Sequence, residues 1–184
     1  AIVSTPDYLK TVAANRATIV AGAVLMGFVH TIANVALPLI MLPILRAHNQ
    51  SLAFGYLAMA ITATVVLVFG AIFMMLLIPL SDAYGLAGAD GDAQLETTGA
   101  ILKYGANACY HLGMALWSVG GLMFCAALYQ SGVVARFLPV WGVVGYLVLG
   151  AGSIMELFAH SDAIEIASVI PGGLFEVTLS ILLI

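Results

Sequence analysis

Five stretches of the chain are almost free of charge, and polar segments separate them: residues 17–45, 52–80, 99–129, 140–158 and 164–184. Crossing the hydrocarbon core of a bilayer takes a helix of about 20 predominantly apolar residues, so each stretch predicts one transmembrane helix. The fold expected is all-α, a polytopic transmembrane helical bundle of five spans in a single transmembrane domain over residues 1–184. The separators read as turns and loops. Residues 1–16 hold Pro6, Asp7, Lys10, Asn15 and Arg16, and Arg46-Ala47-His48-Asn49-Gln50 makes a short polar turn. Arg136 lies in a turn at 130–139, and His160-Ser161-Asp162 turns the chain before the last span. Residues 81–98 are the one long connection, with Asp82, Asp90, Asp92, Glu96 and three glycines, and they predict a solvated acidic loop. Asp90-Gly91-Asp92 has half the pattern of a calcium loop, without the further carboxylates that such a loop needs. Pro171-Gly172-Gly173 predicts an interruption or kink in the last helix, or a close approach to a neighbour through glycine.

Composition agrees with this pattern and excludes a water-soluble globule. The chain of 184 residues is 63% hydrophobic and 8% charged, against roughly 25% charged in soluble domains. Nine acids against five Lys and Arg give a net charge of -4, and no basic cluster suggests nucleic acid as a partner. Cys109 and Cys125 fall on one predicted helix about 24 Å apart and cannot bridge each other there. Both ends read as cut, because the chain starts at Ala1 without methionine and stops within apolar sequence. It is expected to be part of a longer protein.

Ionisable groups inside a bilayer are costly and are therefore functional candidates. The candidates for a ligand site or proton path are His30, Asn34, Asn107, His111, Glu156 and Glu176. Residues four apart share a helix face, which groups His30 with Asn34, Lys103 with Asn107 and His111, and Glu156 with His160. Glu156 and Glu176 suggest a proton-transfer pair, and His30 and His111 suggest haem or quinone held between two helices. Lys103 and His160 read as membrane-edge residues whose stems snorkel. Gly105, Cys109 and Gly113 form a small-residue stripe for helix packing. Trp and Tyr near the span ends read as interfacial anchors. No metal motif is present, no catalytic residue is assigned, and no cofactor is specified.

Four blocks then carry a resemblance. They are the run from Pro43 to Tyr56 (PILRAHNQSLAFGY), Leu128-Tyr129-Gln130-Ser131-Gly132, Phe137-Leu138-Pro139, and Leu174-Phe175-Glu176. Together they resemble the domain-of-unknown-function 4386 family of prokaryotic multi-pass membrane proteins. The resemblance implies a six-helix protein whose first helix precedes an external loop like residues 1–16. It also implies a cytoplasmic side for Arg46 and Arg136 and an external side for the acidic segment. Glu176 matches a recurring Phe-Glu, which makes it the first choice among the buried acids. Ala60 and Ala63 stand where the resemblance leads one to expect an Arg and a Glu. The location expected is the prokaryotic plasma membrane, with lipid, other membrane subunits or a second copy as partners. The preferred reading is an accessory or assembly subunit, or a homo-oligomer, without catalysis. The alternatives are a small transporter or proton-coupled permease using Glu156 and Glu176, or a membrane redox protein binding haem or quinone between His30 and His111.

Overall fold

A computed structural model describes residues 8–86, 89–158 and 162–183, and the side chains among them except at 89–92, 162, 165 and 183. Every element among the described residues is helical: α1 (Tyr8–Ala14), α2 (Arg16–Val24), a π-helical segment (Leu25–His30), α3 (Thr31–Arg46), α4 (Gln50–Leu86), α5 (Ala89–Ser131), α6 (Phe137–Glu156) and α7 (Asp162–Leu183). Four stretches, Arg16–Arg46, Gln50–Leu86, Ala93–Ser131 and Phe137–Glu156, are long and apolar enough to cross a membrane. The apolar part of α7, Ile166–Leu182, is shorter. Large apolar side chains stand exposed all along these helices, including Phe28, Ile32, Ile40, Phe69, Val144 and Ile181. Water would penalise such a surface by about 25 cal/mol per Å2, whereas lipid tails accept it. The chain is an integral membrane protein.

The acidic segment corrects the expectation of a loop at 81–98. Helix α4 continues to Leu86 and α5 already begins at Ala89, so residues 81–86 and 89–98 are helical. Charge and glycine alone do not end a helix whose side chains find partners. Tyr84 donates to Glu96 Oε1 at 3.0 Å, and the hydroxyls of Ser81, Thr97 and Thr98 bond carbonyls of their own helices. At 37 and 43 residues, α4 and α5 rise about 55 and 65 Å, beyond the 40–45 Å of a bilayer with its headgroups. Their polar ends are the excess. The side chains of Asp90 and Asp92, and His160 altogether, lie outside the described residues.

The chain packs as two compact units, with α4 and α5 each contributing to both. Unit 1 holds the described residues up to Thr31 together with Val66–Tyr110. Its core is Tyr8, Leu9, Val12, Ile19 and Leu77, so α1 is a helix laid down by its apolar residues. Tyr8 donates to the Glu96 carbonyl at 3.0 Å, and the Lys103 ammonium sits 4.2 Å from the Tyr8 ring centre. Burial and the nearby Glu96 carboxylate push the Tyr8 phenol above its ordinary pKa. Lys103 is thus held over an aromatic ring, a specific contact where snorkelling was expected. Arg16 and Asp82 form an exposed ion pair at 2.7 Å, a type of contact worth little in stability. The stripe on α5 packs as expected at two of its positions: Gly105 faces the Phe73 ring, and Cys109 meets α4 where that helix has Gly70.

Unit 2 comprises Ile32–Val65 and the described residues from His111 onward. Asn49 caps α4 by accepting from the Leu52 amide at 3.1 Å, and its own amide donates to Gln130 at 3.0 Å. Gly132, at φ +64°, ends α5 in the left-handed conformation that glycine adopts without penalty. Phe175 is wholly buried among Trp141, Tyr146 and Cys125. Both cysteines are free.

Helices α6 and α7 run antiparallel through a seam of small residues, with Gly142 against Phe175, Gly145 against Gly172, and Gly152 against Ser168. Helix α7 therefore continues unbroken through Pro171-Gly172-Gly173, and the glycine serves close approach where an interruption was one expectation. A Cβ on Gly145 would stand 2.8 Å from the Gly172 Cα. Gly145→Ala is expected to lower the unfolding free energy by about 1–3 kcal/mol through overpacking, although alanine is the better helix former by about 1 kcal/mol. Gly173→Ala, with nothing within 4 Å, should not destabilise. Reversible unfolding in mixed detergent micelles measures both, and an unaffected Gly145→Ala would refute the close crossing.

Candidate functional site

Within unit 2, residues of α3, α4, α5, α6 and α7 line a cleft of about 250 Å3. Asn34 comes from α3, Tyr56 from α4, Trp117 and Phe124 from α5, Tyr146 from α6, and Glu176 and Ser180 from α7. The seam sets the central contact. Because Gly145 lies directly on α7, the next residue, Tyr146, reaches Glu176 and donates to its Oε1 at 2.8 Å. Gly121 on α5 makes room for the Tyr146 ring, which a Cβ there would strike. Trp117 donates its indole N–H to the same Oε1 at 3.3 Å. Among the described residues Oε2 has no hydrogen-bond partner, and no Lys or Arg lines the cleft.

Two aromatic rings complete the wall. Tyr56 and Phe124 stack with centroids 4.8 Å apart. Tyr56 is only 3% exposed, and its hydroxyl has no hydrogen-bond partner among the described residues. Ser180 spends its hydroxyl on the Glu176 carbonyl at 2.8 Å. The result is an acidic, aromatic-lined cleft inside the apolar part of the chain, open enough that Glu176 is an exposed residue.

Of the six candidate residues, the cleft gathers two, Asn34 and Glu176. His30 ends the π segment and belongs to unit 1, whereas His111 is buried in unit 2, so neither unit by itself contains both imidazoles. Asn107, half-buried, belongs to unit 1. Glu156 is buried and partnered. The seam's register places Glu156 fourteen residues along α6 from Gly142, the position facing Phe175, which is about 21 Å of helix rise. The expected proton-transfer pair of Glu156 and Glu176 is therefore not assembled. Among the described residues no group of three or more His, Cys, Asp or Glu could hold a metal ion.

The aromatic partners of Glu176 were missed in the sequence. Trp117 sits mid-helix in α5, far from a span end, which is the signal that it is no interfacial anchor. Ala60 and Ala63, where a polar pair was expected, are wholly buried, and the neighbouring Thr64 hydroxyl is buried without a partner among the described residues.

The whole chain, residues 1–184, matches the family described as Domain of unknown function (DUF4386). The chain belongs to this family. No curated protein and no solved structure matches it. For this DUF4386 protein the cleft around Glu176 is consequently read from its own geometry.

Tyr146→Phe and Trp117→Phe each remove one donor from Glu176 while keeping the ring. In membrane proteins such bonds contribute about 0.6–2 kcal/mol, and the shorter Tyr146 bond should account for the larger loss. A double-mutant cycle with Glu176→Leu, which removes the acceptor, read by unfolding in detergent, should show coupling for both, and additive effects would mean that neither bond stabilises the fold.

Proposed function

We propose that this protein is a small carrier or binding protein of the membrane interior that takes a small organic solute at Glu176. The observation behind the reading is the Glu176 carboxylate lining a cleft, with one oxygen fixed by Tyr146 and Trp117 and the other without a hydrogen-bond partner among the described residues. An intramembrane carboxylate costs free energy that purely structural packing would avoid, which favours a binding or proton-accepting role. Glu156, buried and partnered at the end of α6, is structural in this reading. The membrane is taken to be the prokaryotic plasma membrane with Arg46 and Arg136 on its cytoplasmic side. Two features support that orientation: neither arginine's turn holds an acid, and the Asn49–Gln130 bond ties the two turns together. An apolar carbodiimide applied to the protein in nanodiscs should label Glu176 and spare Glu156. Labelling of Glu156 alone, or of neither, would reject the cleft as a solute site.

A second reading has its own observation. Arg16–Arg46 is the least buried of the four long spans and exposes Leu25, Phe28 and Val29. A partner subunit or a second copy covering that face would make the protein an assembly component. Native mass spectrometry after gentle extraction should then find companion chains or dimers, and a stable lone monomer would reject this reading.

A further inference from the structure

We infer that the Glu176 cleft selects a small organic cation, an ammonium group carried on a compact apolar or aromatic body; this rests on the reading of the cleft as a solute site. Charge is the first argument. Glu176 receives two neutral donors, which orient the carboxylate without cancelling its charge, and no basic side chain lines the cleft. A cation in the cleft supplies the opposite charge that no lining side chain does. An anionic ligand would meet repulsion from Glu176.

The wall supplies the second argument. Tyr56, Trp117, Phe124 and Tyr146 all line the same space as the carboxylate. Aromatic rings attract cations through their quadrupoles, most strongly where water is excluded, and clustered rings are the usual way to hold quaternary ammonium groups. The Tyr56 hydroxyl, in a residue only 3% exposed and without a hydrogen-bond partner among the described residues, offers an oxygen to the same ligand. Ligands relying on hydrogen-bond acceptors fare worse, because the Trp117 and Tyr146 donors are already committed to Glu176.

Size is the third argument. At about 250 Å3 the cleft exceeds the roughly 150 Å3 cavity that holds benzene and falls just below the usual range of about 300–1,000 Å3 for drug-sized ligands. One ring bearing a trimethylammonium head fits that range.

Benzyltrimethylammonium and its uncharged carbon isostere, neopentylbenzene, separate charge from shape. Equilibrium binding to the protein in zwitterionic nanodiscs, with empty discs as the blank, should be saturable for the cation only. Glu176→Gln should weaken cation binding at least about tenfold. Tyr56→Leu should do likewise, whereas Tyr56→Phe, which keeps the ring, should stay within about threefold of wild type. Unfolding in detergent confirms that each variant is folded, and the Tyr56 pair keeps the test decisive if Glu176→Gln does not fold. No saturable cation binding, equal binding of the isostere, or an unchanged affinity in both Glu176→Gln and Tyr56→Leu would overturn the inference. In those cases carbodiimide labelling of Glu176 would leave the solute site standing with a different ligand, and failure of that labelling would remove the site itself.

Discussion

The backbone-to-backbone approach of α6 and α7 at Gly145 and Gly172 is the constraint on which the cleft of unit 2 depends. Small residues let two helices in lipid come close enough for dispersion contacts to hold them, since lipid tails leave no hydrophobic drive between apolar surfaces. Once Gly145 lies on Gly172, the antiparallel register is fixed: Gly142 meets Phe175 and Gly152 meets Ser168. Tyr146 then falls within 2.8 Å of Glu176. Bulk at the seam would move the phenol away from the carboxylate. The site's geometry is therefore inherited from packing, with the chemistry added on the adjacent residues.

The same register gives two carboxylates in one helical pair different surroundings. Glu156 ends α6 as a buried and partnered side chain. Glu176 lies along α7, with one oxygen held and its residue open to the cleft. Glu176 is exposed to the cleft, and no Lys or Arg among the lining residues balances its charge.

Much of the architecture was legible because lipid as solvent leaves a one-dimensional record: long apolar runs, broken where the chain meets water. The acidic segment misled because its charges and glycines describe solubility, whereas its helicity is sustained by contacts distant in sequence, such as Tyr8 with Glu96. Periodicity within one helix also cannot reveal partners on others. Spacing placed His30 beside Asn34 and Asn107 beside His111, yet the cleft takes one residue from the first set and none from the second. Its aromatic wall draws on Tyr56, Trp117, Phe124 and Tyr146 from three helices, which spacing within one helix does not join. Glu176 was legible, because an acid in the middle of the apolar stretch Ile166–Leu182 is conspicuous wherever its partners lie.

The choice of neutral partners for Glu176 bears on how such a site can work. Had an arginine lined the cleft, a bidentate pair would have satisfied both carboxylate oxygens and made release of the acid costly. Tyr146 and Trp117 instead fix direction while leaving the charge to be balanced from outside. Each hydrogen bond to such a partner contributes only about 0.6–2 kcal/mol, a range in which ligand entry and ligand loss can compete. An interior poor in basic residues is thus no sign of inactivity: in this cleft it leaves the Glu176 carboxylate available.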